Sequence, residues 1–158
     1  MCIQLPDNIL RESISEWTKF SDLKNSTELP NYSVYFVTHS NEDLSSFNWC
    51  QDIIHIGMCY KAKDNGKLKS RIAAFGKTGY RDKYRSNYDC DADEPTPPFN
   101  ANTFYYAYIM GESISQIYEG TNKHIIRGIV LYLEQIAFST YKEFHSNNVP
   151  MLNRRECE

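Results

Sequence analysis

The chain has 158 residues and a mass of 18.4 kDa, enough for one hydrophobic core and one domain. Hydrophobic residues make up 41% and charged residues 23%, the range of a soluble globular protein, and no run of about 18 apolar residues is present, which excludes a membrane-spanning helix. The net charge of −3 conceals an asymmetry, because residues 61–85 carry nine Lys or Arg against two acids, Asp64 and Asp82. Polyanions respond to such local fields, so a phosphate-bearing partner is compatible with an acidic chain. The plainer reading of the block is a solvated basic face.

The first residues, MCIQLPDNILRESISEW, lack a basic region followed by an apolar core, so no secretory signal is expected. Ile9, Leu10, Ile14 and Trp17 fall at helical spacing and predict an amphipathic helix over 6–20, with Pro6 in its first turn. That helix and a polar connection, residues 1–30, are expected to pack on a domain formed by 31–158. Residues 32–38 are β-branched and aromatic and predict a strand; 41–48 read as a loop, and 52–58 as a second strand antiparallel to the first. Alternation along a strand places Tyr35 with Ser33 and Val37, and His55 with Ile53 and Gly57. Paired, the two strands would project Tyr35 and His55 from one face, with Gly57 leaving room for a shallow pocket.

The segment KDNGKLKSRIAAFG predicts a helix capped by Asn65 and ended by Gly76, with Leu68, Ile72 and Phe75 as its buried stripe. Arg71 falls on the margin of that stripe, where a snorkelling stem is the unremarkable explanation. Residues 86–102 are acidic, contain three prolines and read as an irregular loop. Its Asp89, Asp91 and Asp93 could begin a calcium loop, but Glu94 and Asn100 stand where Gly and Glu are needed. A third strand is expected over 103–110, a short helix over 113–119 and a long helix over 122–145. The long helix turns Ile126, Ile129, Val130, Leu133, Ile136 and Ala137 to the core, with Glu134 on the margin. Together these elements predict an α/β domain of the α+β type, a small, mainly antiparallel sheet of about three strands flanked by helices.

Five cysteines in no disulfide-framework spacing read as the reduced thiols of a cytoplasmic protein. Cys50, His55 and Cys59 straddle an extended segment and diverge, which excludes a zinc site. No Cys-x-x-Cys supports redox chemistry, no Gly-rich loop supports a nucleotide cofactor, and no Gly-x-Ser-x-Gly elbow is present.

An ordered set remains: Ser33-Val34-Tyr35 on one strand, His55-Ile56-Gly57 on the next, Arg71 on the following helix, Glu134 in YLEQIAF on a late helix, and Pro150-Met151-Leu152-Asn153 near the end. In this order and on these element types the chain resembles the GIY-YIG nuclease superfamily over residues 31–153. Ser33 replaces the first motif's Gly, His55 replaces the second motif's Tyr, and Met58 stands where several members have Lys, leaving Lys61 or Lys63 to take that role.

The resemblance implies a DNA endonuclease with one divalent cation, magnesium or its substitute manganese, held by Glu134. Arg71 would clamp the scissile phosphate, Tyr35 or His55 would position and deprotonate water, and Asn153 would orient one of these groups. An imidazole with an ordinary pKa near 6.5 accepts a proton directly at neutral pH, so activity would fall as His55 becomes protonated in acid. The basic block, Lys61, Lys63, Lys67, Lys69, Lys77, Arg81, Lys83 and Arg85, would track the DNA backbone, with Phe75, Tyr80 and Tyr84 interleaved. Specificity would come from that block, from the insertions or from a homodimer. The competing expectation is a catalytically silent member of the same fold that binds nucleic acid or a protein partner.

Overall fold

A computed structural model describes residues 12–27, 29–60, 67–77, 98–150 and 153. Among the described residues, one antiparallel sheet contains β1 (Thr18–Lys19), β2 (Ser33–His39), β3 (Ile53–Cys59) and β4 (Phe104–Tyr108), in the order β1-β4-β2-β3. A 3₁₀ helix, Phe20–Asn25, follows β1; the α-helices are α1 (Leu68–Gly76), α2 (Gly111–Ile117) and α3 (Lys123–Phe144). The α+β class, the antiparallel arrangement and the order of elements match the sequence reading, with four strands in place of about three.

The additional strand comes from the segment expected to be helical. From Ser13 onward the chain is laid along β4 instead: Met110 N donates to Ser13 O, Ser15 N to Tyr108 O, and Ile14 bridges Ile109. Thr18 and Lys19 then pair with Tyr106 and Tyr105. Ile14 and Trp17 suit a helix by spacing, but Trp17 is buried by an extended chain, and the backbone groups find their partners on β4. Ile14, Thr18 and Lys19 are thus paired with β4 rather than helical, Glu12 is helical, and residues 6–11 of the expected helix lie outside the described residues.

Each face of the sheet has its own apolar cluster. Val34, Phe36, Ile53, Ile56, Tyr105, Ala107 and Ile109 face α3, which contributes Val130, Leu133, Ala137 and Tyr141. Tyr35, Val37, Ile54, Phe104 and Tyr106 face the opposite way, toward Leu68, Ile72 and Phe75 of α1 and Phe20 and Leu23 of the 3₁₀ helix. The stripe expected of α1 is the one observed to be buried; its start is Lys67, which makes no side-chain capping bond, and Asn65 lies outside the described residues. At the start of α3, Asn122 accepts from His124 N, as a capping Asn should. At its end Tyr141 donates to Asp52 Oδ1 over 3.0 Å and ties the helix to the start of β3.

Tyr35 lies directly opposite Gly57 in the β2–β3 pair. Its ring lies over the glycine so closely that a Cβ at Gly57 would be 2.6 Å from both Tyr35 Cζ and Oη. Gly57→Ala is therefore expected to destabilise the fold by about 1–3 kcal/mol through overpacking. Gly128→Ala, where a Cβ on exposed α3 meets nothing within 4 Å, should stabilise it by about 1 kcal/mol. Urea denaturation midpoints of the two variants should move in opposite directions.

Candidate functional site

Two cross-strand rows organise the face of the sheet that carries Tyr35. Thr18, Tyr106, Val37 and His55 form one row across all four strands, and Tyr108, Tyr35 and Gly57 form the next. Tyr35 and His55 therefore project from one face, and Tyr35 Oη lies 3.4 Å from His55 Nε2. The expected partnership of Ile53 with His55 is corrected by a bulge: pairing passes from Val37–His55 to Thr38–Ile53, leaving Ile54 as the extra residue. Ile53 turns toward α3, and Ile54 joins His55 on the α1 side.

The shallow pocket expected beside Gly57 is filled. The Tyr35 ring occupies the space above the glycine, and Phe75 of α1 stacks on the His55 ring at 5.3 Å between centroids. Tyr35 and His55 are each only 2% exposed. Burial lowers the His55 pKa from its ordinary 6.5 to about 3, so the imidazole is neutral at every physiological pH. Protonation of His55 is therefore moved well below the ordinary imidazole range.

Asn153 is fully buried and meets the outer edge of β3. Its Oδ1 accepts from Ile56 N over 2.8 Å and its Nδ2 donates to Ile56 O over 2.9 Å, so one amide satisfies both outward-facing backbone groups of the residue between His55 and Gly57. A turn delivers it, closed by Asn153 N donating to Pro150 O. Arg71 is half-buried on α1, on the same face as Tyr35 and His55, and its Nε is buried without a hydrogen-bond partner.

Glu134 occupies a different layer. It is half-buried on α3, whose neighbouring Leu133 belongs to the cluster on the opposite face of the sheet. Tyr35, His55, Asn153 and the α1 helix thus gather around residues 55–57, whereas Glu134 is borne by α3, which packs on the opposite face of the sheet.

In the basic block, Lys67, Lys69 and Lys77 are exposed on or beside α1. Lys69 Nζ donates to the backbone oxygens of Ser26 (2.8 Å) and Lys24 (3.3 Å), so it fastens α1 to the 3₁₀ helix as well as contributing charge. Lys61, Lys63, Arg81, Lys83 and Arg85, with Tyr80 and Tyr84, lie outside the described residues. Among the described residues no group of three or more His, Cys, Asp or Glu side chains is placed to hold a metal ion. No described helix is long and apolar enough to cross a membrane. The Ile56 clasp and the bulge were not anticipated; Asn near a turn gives no sequence signal for a long-range backbone partner. No family model matches the chain, and neither a curated protein nor a solved structure shows significant similarity to it.

Asn153→Ala should cost roughly 2 kcal/mol or more, because it orphans a buried N–H and a buried C=O together; Asn153→Asp, which can accept but not donate, should not restore the loss in urea titrations. The His55 shift also fixes a pH dependence. Between about pH 6.5 and 3 the unfolded chain binds a proton at His55 that the folded chain does not, so stability falls as pH drops through this window. His55→Gln, which keeps a hydrogen-bonding side chain without the titration, is expected to lose less stability between pH 7 and 4.5 than the parent.

Proposed function

We propose that this chain is a GIY-YIG-like domain that hydrolyses DNA phosphodiester bonds with the help of one divalent cation. The observation that carries the reading is convergence on β3: Tyr35 faces Gly57 and reaches His55, Asn153 clasps Ile56 between them, and the Arg71 helix packs on the same ring through Phe75. Three motif segments distant in the sequence meet at a fourth, the three-residue stretch 55–57.

Arg71 is the phosphate-binding group in this reading. Its unpartnered Nε and its terminal nitrogens form a planar fork, and a phosphate held side-on would give Nε the partner it lacks. With its ring proton on Nδ1, neutral His55 presents Nε2 to Tyr35 Oη as an acceptor for the phenol proton when the Tyr35 oxygen takes one from water. Asn153 does not reach reacting atoms; it fixes the backbone that sets the position of both rings. The donor set for the cation is a single half-buried carboxylate, Glu134, a hard oxygen ligand that suits magnesium or manganese completed by water and phosphate oxygens. When bound, the cation would supply Lewis-acid stabilisation of the leaving oxygen.

A second reading has an observation of its own. Both rings are only 2% exposed and His55 is held neutral by burial, the properties of a core pair. A domain with these properties would bind nucleic acid through its basic residues without cutting it.

Plasmid nicking in magnesium separates the readings. The nuclease predicts cleavage by the parent and a loss of 100-fold or more, on the order of magnitude for removing one electrostatic stabiliser, in Glu134→Ala and in Arg71→Lys. The absence of nicking by the parent, together with DNA binding that weakens steeply with salt, would select the silent binder.

A further inference from the structure

On the same sheet face as Tyr35, a recess of about 210 Å³ opens between β1, β4 and the chain that follows the 3₁₀ helix. It is lined by Thr18, Ser26, Thr27, Leu29, Tyr106 and Tyr108, so five of its six side chains carry a hydroxyl. Its size is below the roughly 300–1,000 Å³ of drug-sized pockets and fits one small ring system. Ser26 Oγ and Tyr106 Oη are hydrogen-bonded at 2.8 Å. Burial pushes the Tyr106 pKa up, so its hydroxyl stays protonated at neutral pH.

A wall of hydroxyls has a particular chemical consequence. Each can rotate to donate or to accept, so the wall matches a ligand edge carrying donors and acceptors in either order. Tyr106 and Tyr108 add aromatic surface, with ring planes 22° apart and centroids separated by 6.5 Å; Tyr108 is the half-buried member. Lys69, which donates to Ser26 O, brings a positive charge to the rim, and two of its three N–H donors are engaged with backbone oxygens. Tyr108 is the cross-strand neighbour of Tyr35, and Tyr106 is separated from His55 only by Val37. Two strand spacings therefore lie between the recess and β3, on the order of 10 Å.

We propose that this recess holds one unstacked nucleobase of the bound DNA, with the Tyr108 ring as stacking surface, the hydroxyl wall as an edge reader that tolerates any base, and Lys69 beside the adjoining phosphate. The inference rests on the nucleic-acid reading above and deepens it: the preferred substrate is single-stranded or locally unpaired DNA. A base inside a continuous duplex cannot enter such a recess without leaving its stack.

The test uses the full chain without divalent cation, so hydrolysis plays no part. A single-stranded oligonucleotide carrying one 2-aminopurine, the same strand with an abasic position in its place, and the same strand annealed to its complement are titrated at one salt concentration. The parent should quench 2-aminopurine and bind the single strand at least tenfold tighter than the duplex. Tyr108→Leu should lose the quench and weaken single-strand binding roughly 5- to 100-fold, the range of base–aromatic stacking, while leaving duplex binding unchanged. Tyr108→Phe, which keeps the ring, should retain both. Thr27→Leu, an exposed rim residue whose larger side chain narrows the recess, should reproduce the loss and serves if Tyr108→Leu does not fold. Equal affinity for single strand and duplex, or variants that bind like the parent, would overturn the recess alone. Absence of all DNA binding would overturn it together with the nucleic-acid reading, whereas Tyr108-dependent binding without nicking would keep the recess and remove only the cleavage.

Discussion

Everything on the α1 side of the sheet follows from the register in which β2 and β3 pair. A strand alternates faces at every residue, so a slip of one position would send Tyr35 to the α3 core and leave His55 without its neighbour. Two devices hold the register. Gly57 admits the Tyr35 ring at a distance no side chain would allow, and the bulge at Ile54 absorbs one residue so that His55 and Ile54 both reach the α1 core. The bulge also gives Ile53 to the opposite core, so each side of the outermost strand is fully packed. Registration and core filling are the same constraint here.

Burial then decides the chemistry of the rings. An imidazole taken out of water favours its neutral form, and with Phe75 stacked on one side His55 has no solvent to support a charge. Neutral His55 accepts from Tyr35 Oη when its ring proton is on Nδ1 and donates to it when the proton is on Nε2. A Tyr at position 55 would have brought a second phenol, with an ordinary pKa near 10, against the first. A histidine here instead sets a weak acid beside a ring that, protonated at Nδ1, can accept its proton.

Much of the architecture is legible in the sequence because it depends on local pattern. Ser33–His39 and Ile53–Cys59 announce themselves by β-branched and aromatic residues, and Leu68, Ile72 and Phe75 by helical spacing. Asn122 caps α3 where a turn residue precedes an apolar periodicity. What periodicity cannot tell is where a segment finds its hydrogen bonds. Ile14 and Trp17 satisfy a helical spacing and an extended one equally, and only the free edge of β4 decides between them. In the same way, Glu134 lies on the margin of a correctly read helix, yet nothing in its spacing says which face of the sheet that helix covers. Lys69 reads as a surface cation, and its attachment to Ser26 and Lys24 depends on a fold-level meeting of two elements 43 and 45 residues away.

The edge of β3 is where these layers can act together. An outermost strand exposes backbone groups that invite another strand, and a natural protein covers or interrupts them. Here Asn153 supplies both partners of Ile56, so this point of the edge cannot pair with a further strand while the amide is in place. The clasp leaves α1 above the strand and α3 below it, bringing a guanidinium-bearing helix and a carboxylate-bearing helix to either side of a protected edge. Asn153 thereby keeps this point of the strand edge from self-association.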